Sequence, residues 1–198
     1  MKRAGAGANR VRIIGGEHGG RWLRFPDAPG LRPTADRVRE TLFNWLQAEL
    51  PGARCLDLFA GSGALGLEAL SRGAGFVLLV EQSRPVAERL RDHLDALGAG
   101  SRAEVHQSDA LRLLARPPET PFDLVFLDPP FAAGLLGRAC RALEDRGWLA
   151  ARAHIYLEQD AAAPWPDLPP DWVLHRQGRS GQAAYRLMKR MRPAGADC

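Results

Sequence analysis

From Cys55 onward, short apolar runs alternate with longer segments whose apolar residues recur every three or four positions. The first pattern belongs to buried strands and the second to amphipathic helices. CLDLFA reads as a strand, ALGLEALSRG as a helix closed by Gly73, and FVLLVE as a second strand. SRPVAERLRDHLDALG predicts a helix capped by Ser83, with Pro85 in its first turn, Val86, Leu90, Leu94 and Leu97 on one face, and Gly98 past its end. AEVHQSD is a third strand followed by a short helix over 111–115, FDLVFLDPP a fourth strand, 135–146 a helix, and AHIYLEQD a fifth strand. Such alternation builds a parallel sheet with helices on both faces. Beyond the Pro/Ala-rich stretch 161–171, two strand-like halves surround Gly178-Arg179-Ser180-Gly181 and predict an antiparallel hairpin. The expected fold is therefore α/β and Rossmann-like, a mostly parallel seven-stranded sheet ending in that hairpin.

The front of the chain is organised differently. IIGGEHGGRWLRFP reads as a small hairpin bearing Arg21 and Arg24. LRPTADRVRETLFNWLQAEL opens a helix near Thr34, with Val38, Leu42, Trp45 or Leu46, and Leu50 inward and Arg37 and Arg39 on the other face. These patterns divide the chain into a basic N-terminal arm at 1–33, a main domain at 34–190 and a tail at 191–198.

Charge sharpens that division. Residues 1–40 hold nine Lys/Arg against four acids, a net +5, while the whole 198-residue chain is +4. The body is near neutral and the basic arm suits a polyanion, with a solvated tail as the alternative. The opening MKRAGAGANRVR lacks an apolar signal core, and no run is long enough for a membrane span, so a cytoplasmic protein is expected. Cys55, Cys140 and Cys198 form no CxxC pair and the five histidines are scattered, which points to no metal site and no disulfide framework. No spare apolar face stands out, and a monomer is expected.

Candidate chemistry collects at the strand ends. Asp57, Gly61 and Gly63 fall at the first strand of the alternating series, Glu81 ends the second, Asp109 the third and Asp128 the fourth. In open α/β sheets ligands bind outside the carboxyl ends of the strands, so these residues share one rim. Gly61-x-Gly63-x-x-Gly66, with Glu81 twenty residues after Gly61, has the spacing of a nucleoside-cofactor fingerprint. A hydride-transfer site would need a proton-relaying His, Lys or Tyr, which this rim does not supply. S-adenosylmethionine needs a glycine floor, an acid for its ribose and a polar group for its adenine, which Asp57, Glu81 and Asp109 can meet. For Asp109 a turn or helix-cap role remains the alternative.

Asp128-Pro129-Pro130-Phe131 gives the core strand an unusual ending. A nucleobase amine is a poor nucleophile because its lone pair is delocalised into the ring. A site that activates it must accept both amine protons. The Asp128 carboxylate and the Pro129 carbonyl, held by a rigid Pro-Pro backbone, are two such acceptors, and Phe131 offers a ring for base stacking.

These motifs resemble those of class I S-adenosylmethionine-dependent amino-methyltransferases, and alone they leave adenine N6, cytosine N4 and guanine N2 open. The run RIIGGEHGGRWLRFPDAPGLRPTADRVRETLFNWL, with LEALSRGA, LEDRGWLA and LHRQGRSGQAAYRL, is similar to the RsmD family over about 12–190. The resemblance implies methylation of guanine N2 in 16S ribosomal RNA within the small subunit. It implies cofactor contacts at Asp57, Gly61, Gly63, Glu81 and Asp109, target-amine contacts at Asp128, Pro129 and Phe131, and RNA contacts at Arg21, Arg32, Arg37 and Arg39. Solvated arginines on a packing helix are the alternative for the last three. Glu17 and His18 stand where the family pattern calls for a more basic loop. Competing readings are an adenine-N6 methyltransferase, for which the chain has little spare length, a nicotinamide oxidoreductase and a non-catalytic RNA-binding module.

Overall fold

A computed structural model describes residues 10–25, 35–130 and 134–191. Thr34 and Arg32 before the first helix, and Phe131 after Pro130, lie outside the described residues. The chain starts with β1 (Arg10–Arg12) and β2 (Trp22–Arg24), then α1 (Asp36–Trp45). The alternating part follows as β3 (Arg54–Asp57), α2 (Ala64–Ser71), β4 (Phe76–Glu81), α3 (Arg84–Ala96), β5 (Ala103–Gln107), α4 (Ala110–Leu114), β6 (Phe122–Leu127) and α5 (Leu135–Asp145). It closes with β7 (Leu149–Asp160), β8 (Trp172–Ser180) and β9 (Ala183–Arg190).

Seven strands form one sheet in the order β5-β4-β3-β6-β7-β9-β8. The pairs from β5 through β7 are parallel, and β9 pairs antiparallel with both β7 and β8. This is the expected mostly parallel sheet with a closing hairpin. Its central strands are covered on both faces, which is why β6 reads as a nearly continuous apolar run. One hydrophobic cluster packs α1, α2, α3 and the N-terminal hairpin on one face, and a second packs α4 and α5 on the other.

Local departures from the sequence pattern have physical causes. The strand read as CLDLFA ends at Asp57 because the chain turns into the glycine loop. Ser83 precedes α3 but makes no side-chain cap; its own N–H is held by Glu81. The last hairpin turns at Gly181-Gln182, with Gly178 inside β8 opposite Tyr185. A Cβ at Gly178 would stand 2.4 Å from the Tyr185 hydroxyl oxygen, so this glycine serves close approach rather than a turn.

The N-terminal segment is bonded into the domain. Val11, Ile13, Leu23 and Phe25 are buried in the same cluster as α1 and α2. Beneath them Glu68 of α2, wholly buried, accepts the backbone N–H groups of Ile14 at 2.7 Å and Gly15 at 2.9 Å. The same carboxylate pairs with Arg72 at 2.7 Å and Arg39 at 3.4 Å. Arg39 also donates to the Arg12 carbonyl at 2.8 Å and to Asp36 at 2.6 Å. The turn docks on the end of α2, where Ser71 accepts from the His18 N–H and donates to the Gly15 carbonyl. Glu17 is bonded to Arg102, which holds its carboxyl below the usual range. An acid therefore suits this turn as an anchor.

Removing one member of a buried charge network leaves its partners desolvated and unpaired, at about 3–5 kcal/mol. Glu68→Ala is expected to lower the unfolding free energy by that amount in denaturant titration. Residues 10–25 are expected to lose hydrogen-exchange protection before the sheet does.

Candidate active site

The carboxyl rim of the sheet carries the proposed machinery in the order that the strands impose. Asp109 follows β5, Glu81 ends β4, the glycine loop follows β3, Asp128 follows β6, and β7 ends beside it. The loop between β3 and α2 is pinned to its neighbours by backbone bonds from Leu58 to Phe126 and from Ala60 to Val80, at 3.2 and 2.9 Å. Gly63 then turns the chain into α2 with a φ of 77°, and a Cβ there would meet side-chain carbons of Leu67 and Leu90 at 2.7 Å. Only glycine fits both the angle and the space.

Asp57 lies under this loop and is 2% exposed. Its carboxylate accepts the Gly66 N–H at 2.8 Å, tying the strand end to the first turn of α2. Asp57 thus positions the cradle from below instead of opening towards a ligand. Burial pushes its carboxyl up to about 7, opposed by the N–H groups of Gly66 and Phe59 and reinforced by the charge of Glu81. Glu81 is the open acid of the loop. One of its oxygens accepts the Gly61 N–H at 3.0 Å and the other the Ser83 N–H at 2.7 Å. The half-exposed carboxylate keeps further lone pairs for ribose hydroxyls.

Asp109 is the N-cap of α4, and its Oδ1 accepts the Arg112 N–H at 2.9 Å. The cap accounts for an aspartate here by itself, although the side chain is exposed on the rim. Asp128 is half-buried and Pro129 buried, one strand over from the glycine loop. The charge of Asp128 is felt by the Tyr156 phenol, which burial, Glu158 and then Asp128 push up.

The four arginines separate. Arg37 is exposed on α1, and Arg32 is outside the described residues. Arg21 is exposed but donates to the carbonyl of Ala96 at 3.2 Å, at the far end of α3. A 13-residue helix separates it from the rim, about 20 Å. The expectation that Arg39 faces RNA is corrected: it is 1% exposed and committed to Glu68, Asp36 and the Arg12 carbonyl.

Sequence reasoning missed two features. One is that Arg10, Arg12 and Trp22 join Arg24, already read on the hairpin, on one exposed outer face, with the Arg10 guanidinium 4.2 Å over the Trp22 ring. The signal was RVR and WLR, alternating charged or aromatic residues with apolar ones. The other is Glu158 on β7, 6% exposed beside buried Tyr156, signalled by an acid in an apolar strand. Cys55 and Cys140 are buried free thiols, which burial pushes up, Cys140 to about 12. Neither is activated.

The buried Asp57 gives a pH signature. A carboxyl raised from near 4 to about 7 stabilises the fold fully below the lower value and loses that contribution as pH rises through the upper one. Relative to Asp57→Asn, the wild type is expected to lose up to about 4 kcal/mol between roughly pH 4 and 7. Paired urea titrations across that window measure the difference; parallel curves would remove the assignment.

The family model described as conserved hypothetical protein 95 matches residues 11–189. The ribosomal RNA small subunit methyltransferase D of Escherichia coli K12 is 52% identical over 185 residues, 93% of this chain and 92% of that protein. Its Haemophilus influenzae namesake is 45% identical over 179 residues, 89% of this chain and 92% of that one. A solved Escherichia coli structure assigned to the methyltransferases superposes with a TM-score of 0.86 at 50% identity, covering 92% of this chain and 98% of that chain. An RNA methyltransferase from Salinibacter ruber, in complex with S-adenosyl-L-homocysteine, shares the fold with a TM-score of 0.59 at 14% identity, over 84% of this chain and 98% of that one. With the family model matching residues 11–189 of 198 and these relatives aligned over most of their length, the chain belongs to the RsmD family of ribosomal RNA methyltransferases.

Proposed function

We propose that this protein methylates the exocyclic N2 amine of a guanine in 16S ribosomal RNA, with the small ribosomal subunit as its substrate. The methyl donor is S-adenosylmethionine, as for the methyltransferase family to which the chain belongs. The observation that carries the reading is the rim itself: paired strands β3 and β6 set the glycine cradle and Asp128-Pro129 next to each other.

The residues present fit the cofactor. The glycine loop at the end of β3 carries no side chain at Gly61, and Glu81 accepts the Gly61 N–H beside it with its carboxylate half-exposed. When bound, S-adenosylmethionine supplies an electrophilic methyl on sulfonium. Glu81 would hold the ribose hydroxyls, and Asp109 would reach the adenine end from its capping position.

At the target, Asp128 and the Pro129 carbonyl accept the two amine protons and let the nitrogen pyramidalise. As the nitrogen takes the methyl it gains positive charge, which the fixed carboxylate stabilises. Losing one such preorganised group reduces rate by about a hundred- to thousandfold. Phe131, three positions beyond Asp128, supplies the stacking ring in this reading. Phosphates are held away from the chemistry, by Arg37 and the hairpin face of Arg10, Arg12 and Arg24, with Trp22 able to stack on an unpaired base. Arg32, four positions before α1 in the sequence, is assigned to the same RNA contact in this reading. No helix of the described residues is long and apolar enough to cross a membrane.

The decisive assay is transfer of labelled methyl to small subunits lacking the modification, with naked 16S RNA and DNA in parallel, followed by nucleoside analysis. N2-methylguanosine is the expected product; N6-methyladenosine would replace the target base while keeping the Asp128 chemistry. Asp128→Ala is expected to lower kcat at least about a hundredfold with cofactor affinity retained, and equal loss of both would remove its assigned role. Arg37→Glu is expected to weaken RNA binding and flatten its salt dependence without changing cofactor affinity.

A further inference from the structure

One buried acid beside the rim has no part in the mechanism above. Glu158 is 6% exposed near the carboxyl end of β7. Leu127 of β6 is in register with Leu157, so the residues that follow them, Asp128 and Glu158, stand side by side on parallel strands, about 4.8 Å apart. Phe126 and Tyr156, two positions earlier, both face the cluster under α1; alternation within β7 sends Glu158 to that same face, and Asp128, one residue past β6, is near enough for its charge to act on the Tyr156 phenol.

The surroundings of Glu158 make it an acceptor. Tyr156 Oη donates to Glu158 Oε2 at 2.6 Å. Oε1 makes no hydrogen bond among the described residues and is not sealed from the surface. Tyr185, the register partner of Glu158 on β9, closes the wall, with its ring 6.2 Å from that of Tyr156 and 5.9 Å from that of Trp45. Burial raises the Glu158 carboxyl, against the effect of the Tyr156 hydrogen bond. A carboxyl with one oxygen fixed by a buried hydroxyl and the other open at the surface can take a further donor. Such groups cluster where a substrate completes the set of partners.

We propose that Glu158 is a specificity residue that accepts the N1–H of the target guanine while Asp128 accepts the neighbouring N2 amine. This deepens the guanine-N2 reading and rests on it. Guanine places two donors, N1–H and the N2 amine, next to each other on one edge. Two adjacent acceptors, one held in orientation by Tyr156, match that edge. Adenine offers a lone pair at N1 beside its N6 amine, so the same two acceptors would set oxygen against nitrogen. The chemistry that activates an amine is thereby confined to guanine, because a site built around a donor rejects a base that lacks it.

The test uses small subunits reconstituted with 16S RNA carrying either guanine or 2,6-diaminopurine at the modified position. The analogue keeps the N2 amine but has no N1–H. Wild-type enzyme is expected to prefer guanine by at least about a hundredfold in kcat/KM. Glu158→Gln is expected to shrink that ratio at least about tenfold, with S-adenosylhomocysteine affinity unchanged, since its amide can also donate. The analogue differs from guanine at the 6-position too, and the change of ratio in Glu158→Gln assigns the effect to this residue. Equal rates on both bases for the wild type would overturn the inference, as would an unchanged ratio in the variant. Should Glu158→Gln fail to fold, Glu158→Asp, which draws the acceptor back from the base, is read for the same change of ratio, and an unchanged ratio there would overturn the inference equally. No transfer to guanine by the wild type would instead overturn the guanine-N2 reading, and the inference with it.

Discussion

A single carboxylate in the middle of α2 ties three parts of the chain together. Glu68 is out of contact with water, and around it lie the N–H groups of Ile14 and Gly15 and the side chains of Arg39 and Arg72. Each partner comes from a different piece of sequence: the N-terminal hairpin, α1 and the end of α2 itself. A charge buried this deeply is tolerable only when every partner is present, so the network forms as a unit or not at all. Because Arg39 lies near the start of α1, the network also fixes how α1 sits against α2 and the hairpin. An apolar residue at position 68 could fill the space but would leave the Ile14 and Gly15 N–H groups and Arg39 without their acceptor. What the fold would lose is the alignment of hairpin and helix on the sheet.

The same logic runs through the rim. Asp57 is buried under the glycine loop with its carboxylate on Gly66, and Glu81 spans from Gly61 to Ser83. Both acids spend hydrogen bonds on backbone N–H groups that a tight loop leaves without partners in a sheet or helix. The loop is therefore shaped before any ligand arrives, and preorganisation of this kind lowers the ordering penalty of binding. Glycine supplies the permissible angles, and the two carboxylates choose among them.

The sheet was legible because strand and helix periods alternate without ambiguity from Cys55 to Asp160. Glycines and acids at strand ends were legible because the topology of an open sheet brings all such ends to one edge. Arg39 was misread for a specific reason. It lies three and four positions before Leu42 and Phe43 and so belongs to their inward stripe, but its charge suggested solvent. The balancing clue was Glu68, 29 positions on, an acid inside an otherwise apolar helix. Neither residue explains itself alone, and periodicity within one element cannot pair them. Gly178 was misread in the same way: a glycine between strand-like halves suggests a turn, while its cause is the Tyr185 hydroxyl across the ladder. Burial contributed by a distant element is the common reason for these misses.

An RNA enzyme with acids along its rim faces an electrostatic problem, since phosphates and carboxylates repel. The structure meets it by spending the acids' charge locally. Asp57 is buried, with burial pushing its carboxyl upward and so disfavouring the charged form, and Glu158 is held by the Tyr156 hydroxyl. Glu81 and Asp109 face backbone N–H donors that offset their charge. The exposed positive charge lies elsewhere, on α1 and on the outer face of the hairpin. An exposed arginine acts over about a Debye length, roughly 8–10 Å at physiological salt, while a bonded or buried carboxylate acts on what touches it. In the proposed mechanism, attraction of the polyanion and activation of the amine fall to different residues on different elements, so that salt would govern encounter through the arginines and the shape of the rim would govern which base reacts.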